Sequence, residues 1–338
     1  MMTSRVGMCF LDRPEPRRQV ELAKRCESLG YESMWVCETR TARDAISVLG
    51  AMACVTERIK LGSGVVNSWT RPASLMALTF ASLDELAPNR MILGIGAYWD
   101  PLAWKQGITR RKPIKQMREY VEVVRRLLAM ETVDFEGELV QVRDLKLEMG
   151  SGVERRPRNV PIYIGATGLQ MLELTGEIAD GVLLNAYTSV AHQAASLAHL
   201  EAGARRAGRT LDNFDIPQLV VVAMDDKDAE RARWVAHYMA TMYIGQQPHI
   251  GKASGIPESD VAKVREAMGS WPPKPGGIES AMPLVPTKVV EALTVAGTAE
   301  ECRQKVQDWV TRPNVYPVIL PLTDNFEEIA DAFAPSAG

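Results

Sequence analysis

Short apolar runs alternate along this chain with longer stretches whose apolar positions recur at helical spacing. Ile59 to Val66 is one such run, rich in β-branched residues, and Arg90 to Ile95 is another, each with glycine near its tip and polar or aromatic residues beyond. Both read as buried parallel strands. Between them Pro72 sits where a first helical turn tolerates a missing N–H. Leu75, Leu78, Thr79, Leu83 and Leu86 then recur at helical spacing until Pro88 stops the pattern. The unit is strand, helix, strand.

The same alternation continues on both sides. Strands are predicted at Arg5–Leu11, Ser33–Cys37, Val160–Ile164, Gly181–Leu184, Ile216–Met224 and Val315–Leu320. Helices are predicted at Glu15–Leu29, Asp44–Thr56, Lys115–Met130, Leu169–Ile178, Val190–Ala207, Asp228–Tyr243 and Ala299–Val310, with a polar β excursion at Thr132–Leu147. With the central pair this makes eight strands separated by helices, which predicts an α/β fold of the (β/α)8 TIM-barrel type. The 338 residues exceed the ~250 of a bare barrel, so a single domain spanning 1–338 with an insertion is expected. The insertion is placed at about Gln246–Pro286, where proline, glycine and serine concentrate around SWPPKPGGIES. Loops of this kind often cover sites.

A net charge of -3 and 24% charged residues provide no basic stripe for nucleic acid and no polybasic membrane patch. No apolar run reaches the ~20 residues of a membrane helix, and Met1–Asp12 lacks the character of a secretory signal. A cytoplasmic protein acting on a small molecule is expected. The five cysteines form no close pair in sequence, so no zinc site or disulfide framework is expected, and they read as buried thiols.

In such a barrel the chemistry sits at the carboxyl ends of the strands. The Gly165-Ala166-Thr167-Gly168 turn follows VPIYI and opens a helix, so its exposed N–H groups and the positive helix end suit a phosphate. An ordinary strand-to-helix turn is the alternative on this pattern. Gly94-Ile95-Gly96 lacks the third glycine and following acid of a dinucleotide fingerprint, and there is no Walker lysine.

Three blocks carry a resemblance: LGSGVVNSWTRPASLMALTFASLDELAPNRMILGIGA, VPIYIGATGLQMLELTGEIADGVLLNA and VAGTAEECRQKV. Together they resemble the luciferase-like flavin and deazaflavin oxidoreductase superfamily. Within it the chain is most similar to the coenzyme F420-dependent branch that includes methylenetetrahydromethanopterin reductase. The resemblance implies an oxidoreductase exchanging hydride between deazaflavin and an organic substrate, with the phosphate held around Gly165, Ala166, Thr167, Gly168, Gly181 and Val182. It implies a ring resting on the third strand at a bulge with a non-prolyl cis peptide at Gly64-Val65, and a homodimer or higher homo-oligomer through the early helices. An FMN-dependent monooxygenase of the same superfamily, and a non-catalytic coenzyme-binding protein, are the alternatives.

The chain also departs from that pattern. Where many relatives have Asp-His after the second strand it reads Cys37-Glu38-Thr39, which excludes a histidine acid there. The glutamates expected near strands one and four of the reductase are replaced by Met8, Phe10, Ala97 and Tyr98, which argues against a methanopterin substrate. Glu38 is then the first candidate for orienting a donor or delivering a proton, or else it pairs with Arg40 or Arg71. Asn67 either bonds the pyrimidine-like edge of the coenzyme or caps the helix near Pro72. Tyr98 and Trp99 either wall the substrate pocket or simply pack. Trp35 is expected to face the helix layer. His192 and His199 are expected on a helix surface, and His249 is the histidine nearest to a role, in the insertion.

Overall fold

The computed structural model describes residues 4–39, 41–253 and 255–335. Among them the strands are β1 (Gly7–Phe10), β2 (Ser33–Val36), β3 (Lys60–Ser63), β4 (Val66–Asn67), β5 (Met91–Gly96), β6 (Val133–Glu136), β7 (Gln141–Leu145), β8 (Ile162–Ala166), β9 (Gly181–Leu184), β10 (Ile216–Met224), β11 (Val295–Gly297) and β12 (Val315–Pro321). Parallel pairing runs in the order β10, β12, β1, β2, β3, β5, β8, β9, and a β10–β9 contact closes the ring. The fold is the expected (β/α)8 barrel. β6 and β7 form a separate antiparallel hairpin where the polar excursion was predicted.

Side chains alternate across each strand, which divides the core in two. Met8, Phe10, Met34 and Val36 pack outward with helix residues such as Leu22, Leu49 and Met52. Cys9, Trp35 and Cys37 take the other parity and fill the barrel with Ile92, Tyr163, Val221 and Tyr316. Trp35 thus points inward, against the expectation from sequence. Its fully buried indole donates to Ser33 Oγ at 2.9 Å and lies 5.8 Å from the Tyr163 ring. Gly62, its register partner on β3, makes the space: a Cβ there would come within 2.5 Å of the indole.

The helix Ala73–Leu86 also turns its face differently from what its leucines imply. Met76, Ala77, Phe80, Ala81 and Leu83 are buried, whereas Leu75, Leu78 and Leu86 are exposed. A helix apolar on two sides leaves its spacing ambiguous, and the smaller side chains pack closest to the strands.

Between β10 and β11 the chain forms helices Ala229–Gln246, Pro248–Ala253, Glu258–Met268, Gly277–Ala281 and Thr287–Leu293. The prolines that looked like loop signals in part start helices, with Pro257 and Pro286 at N-cap positions. Ile244, Ile250, Val261, Val264 and Met268 join this layer to the interior core.

The amino ends of the strands are closed by ion pairs. Arg5 donates to Glu32 at 2.6 and 2.8 Å and to Asp215 at 2.6 Å, and its guanidinium lies 4.3 Å from the centre of the Tyr316 ring. Tyr163 donates to the second Asp215 oxygen at 2.7 Å. Glu27 accepts the amides of Glu57, Arg58 and Ile59. Cys54, which follows the helix Ala45–Ala53 at this same end, is exposed, while Cys9, Cys26, Cys37 and Cys302 are buried. No described helix is long and apolar enough to cross a membrane.

Candidate active site

The carboxyl ends of the strands surround a cavity of about 750 Å³. One wall is the bulge that the family resemblance implied at Gly64-Val65, where the residue pattern alone reads as an apolar run. The third strand breaks at Gly64-Val65, a cis peptide bond, into β3 and β4, and β4 resumes pairing with Val66 opposite Ile95 and Asn67 opposite Gly96. The Val65 side chain is nested against glycines of the next two strands: a Cβ on Gly96 would stand 2.8 Å from it and one on Gly165 3.0 Å from it. A Cβ on Gly94 would stand 1.8 Å from the Ser63 carbonyl oxygen. Gly94 and Gly96, unexplained as a nucleotide motif, therefore make room for the bulge. Beneath it Cys37 donates to the Gly64 carbonyl at 2.6 Å and lies 3.4 Å from Cys9, so two thiols far apart in sequence meet inside the barrel. Burial pushes the Cys9 thiol well above its ordinary range, an effect strengthened by Cys37.

Gly165, Ala166, Thr167 and Gly168 all line the cavity. Gly168 is the N-cap of the helix Leu169–Ile178 and offers no side-chain cap, so first-turn amides stand at the cavity wall without a side-chain acceptor. Gly181 and Val182 do not join them. They begin β9, whose exit is about 10 Å higher at ~3.3 Å per residue, and the Val182 amide already donates to the Asp215 carbonyl at 3.0 Å. The residues that do reach the mouth from this strand are Asn185, Ala186 and Tyr187.

Glu38 lines the cavity with both carboxylate oxygens held by Arg71, at 2.8 and 2.7 Å. Arg71 also reaches Asp44 at 2.7 Å, and Asp44 accepts the Ser47 amide that starts the next helix. Burial raises the Asp44 carboxyl, but the Ser47 bonds and the charge of Arg71 more than offset it, and the net direction is below the ordinary range. The paired reading of Glu38 is thus realised through Arg71, while Arg40 lies outside the described residues.

Asn67 does not cap the helix that follows Pro72, whose first turn has no side-chain cap; it closes a local turn instead. Oδ1 accepts from Trp69 and Thr70 amides at 3.0 and 2.9 Å, while Nδ2 has no hydrogen-bond partner among the described residues, on a side chain that lines the cavity. Tyr98, at φ 66°, accepts a bond from Gln106 Nε2, which leaves its own O–H free to donate. Burial raises the Tyr98 phenol, the Gln106 bond lowers it and the charge of Glu38 raises it, for a net upward shift. Trp99 lines the cavity and Trp104 is exposed.

The histidines stand elsewhere. His192 is buried rather than on a surface face, His199 bonds Glu173 at 2.8 Å, and His237 reaches the carbonyls of Met282 and Val285 at 3.0 Å. His249 falls within the helix Pro248–Ala253, and its side chain lies outside what is described. Sequence reasoning missed Arg110, paired with Asp100 at 2.5 Å, and the stacked Tyr187–Tyr243 rings, 4.3 Å apart at 24°. It also missed Gln246, because the helix predicted to stop at Tyr243 runs on to the mouth.

Known proteins resemble this chain in sequence and in fold. The luciferase-like monooxygenase family model matches residues 2–313. A 5,10-methylenetetrahydromethanopterin reductase from Archaeoglobus fulgidus is 31% identical over 293 residues, covering 84% of this chain and 83% of its own. An F420-dependent glucose-6-phosphate dehydrogenase from Nakamurella multipartita is 26% identical over 275 residues, covering 76% of this chain and 78% of its own. The solved coenzyme F420-dependent tetrahydromethanopterin reductase from Methanopyrus kandleri superposes with a TM-score of 0.80 at 26% identity, over 97% of this chain and 96% of that one. With a family model spanning most of its length and the same barrel beneath it, the chain belongs to the luciferase-like monooxygenase family.

Proposed function

We propose that this protein is a coenzyme F420-dependent oxidoreductase acting on a small organic substrate. The observation that carries the reading is the pairing, in one cavity, of an apolar bulge at Val65 with the uncapped helix end at Gly168. One suits the face of a flat ring and the other its phosphate. When bound, the deazaflavin supplies or accepts the hydride. Val65 and the glycines around it fix the depth at which a ring can sit. Amides at the Gly165–Gly168 turn hold an anion without adding a cation. Asn67 Nδ2 is a donor for the polar ring edge, and Tyr98 keeps a proton on its hydroxyl at neutral pH. Glu38 and Arg71 tie the β2 exit to the segment after β4, which keeps that side of the mouth in one arrangement.

A parallel titration with F420 and FMN tests this. Saturable F420 binding with at least about a tenfold preference over FMN, or about 1.4 kcal/mol, is expected. Absence of F420 binding overturns the reading, and a preference for FMN moves the chain to the monooxygenase alternative. A homodimer is part of the same proposal, supported by the exposed Leu75, Leu78 and Leu86 on one early helix. Light scattering on the eluted protein checks the mass.

A further inference from the structure

Gln246 closes the helix Ala229–Gln246, lines the cavity and is only 6% exposed. Its amide makes no hydrogen bond among the described residues, and neither amide atom is among those sealed from the cavity. A buried amide in this state costs free energy unless a ligand or water meets it. The ring of strands fixes what it faces. β10 stands four strands from β3 in either direction, so Leu219 of β10 and the insertion that follows it look across the mouth at the Val65 bulge. Beside Gln246 the stacked Tyr187 and Tyr243 rings offer a flat apolar wall.

Charge is confined to the other side. Among the described lining residues the ionised groups are Glu38 and Arg110, from loops after β2 and β5 that flank β3, and each is already paired, with Arg71 and Asp100. The Arg110 Nε is sealed from the cavity by surrounding atoms. The β10 side therefore presents aromatic surface and neutral amides, Gln246 and its less buried neighbour Gln247, and the buried one is the amide held in a fixed place. A carboxamide complements that amide, placing its N–H on the Gln246 oxygen and its C=O on the Gln246 nitrogen, whereas a carboxylate sets two acceptors against a group with one acceptor.

Resting on the reading that the coenzyme occupies the Val65 side, we propose that Gln246 recognises the substrate, and that the substrate is a neutral, flat, largely apolar molecule with a carboxamide-like edge. The test uses protein saturated with oxidised F420, titrated with benzamide and with benzoate as isosteric probes and followed by calorimetry. Benzamide should bind saturably and benzoate at least about tenfold more weakly. Gln246→Leu should weaken benzamide by about tenfold or more while the Kd for F420 stays within about twofold, which also shows that the variant folds. Gln246→Glu should exchange the preference for benzamide into one for the cation benzamidine. Equal binding of benzoate, no saturable benzamide binding, or unchanged benzamide affinity in Gln246→Leu each overturns the proposal. Failure of the unmodified protein to bind F420 at all is a separate result that removes the coenzyme reading, and benzamide titration of the unloaded protein then still decides the role of Gln246.

Discussion

The two rims of the barrel are built on opposite principles. At the floor, where the strands begin, polar groups are spent on one another: Arg5 on Glu32 and Asp215, Tyr163 on Asp215, Glu27 on three amides. At the mouth several are left over among the described residues, including the Asn67 Nδ2 group, the Gln246 amide, the Tyr98 O–H and the first-turn amides after Gly168. The difference teaches where to look for ligand. Satisfied polar networks rigidify a fold, and unsatisfied ones at the edge of a cavity are completed by what binds there.

The largest effect should come from breaking the floor. Arg5→Ala leaves Asp215 partly buried with only the Tyr163 hydroxyl and Glu32 with only Lys60, and should lower stability by about 2 to 3 kcal/mol in denaturant unfolding while F420 affinity is preserved. Loss of affinity before loss of stability would blur the distinction between rims. Gly165→Asp attacks the mouth instead, placing a negative charge at the proposed phosphate turn and a Cβ 3.0 Å from Val65. F420 affinity should fall about a hundredfold, near 2.7 kcal/mol, with circular dichroism unchanged. Gly165→Ala supplies the bulk alone and should cost about tenfold, so the gap between the two variants measures the charge.

A smaller effect is expected from pH. Burial raises the Glu32 carboxyl, but the bond and charge of Arg5 and the nearby Lys60 outweigh it, and the net direction is below the ordinary range. The folded carboxylate therefore takes up a proton less readily than the unfolded one. Its contribution is complete above the unfolded value of about 4.3 and is lost as pH falls through the folded value. Unfolding at pH 7 and at pH 3 should differ less in Arg5→Ala than in the unmodified protein. The smallest effect is expected from Glu38→Gln, which keeps the side-chain volume but loses one of the two Arg71 bonds along with the charge. F420 affinity should be unchanged, and single-turnover oxidation of the bound reduced coenzyme by an enone panel should slow severalfold. The charge that helps to raise the Tyr98 phenol is also removed, so the alkaline limb of the rate profile should move to lower pH.

The barrel was legible because buried parallel strands are continuous apolar runs and their helices carry their own spacing. That the Gly165–Gly168 turn reaches the mouth was legible because its glycines sit between a strand and a helix. What escaped depends on contacts between strands. Whether Trp35 points in or out is decided by Gly62 on the neighbouring strand, and the purpose of Gly94 and Gly96 appears only once Val65 lies beside them. Gly181 and Val182 were assigned to the mouth by resemblance, although strand polarity puts them below it. Cys9 and Cys37 are separated by two elements of chain and meet only after β1 pairs with β2. Gln246 was hidden by a helix end misplaced by a few residues, the least dependable quantity in any reading of periodicity.

The distribution of thiols has a practical consequence. Because Cys54 alone among the cysteines is exposed, and stands at the foot of the barrel, a maleimide dye should decorate each molecule once without entering the mouth. Energy transfer between that lamp and a deazaflavin would then gauge the height of the cylinder, and report docking from outside the crevice.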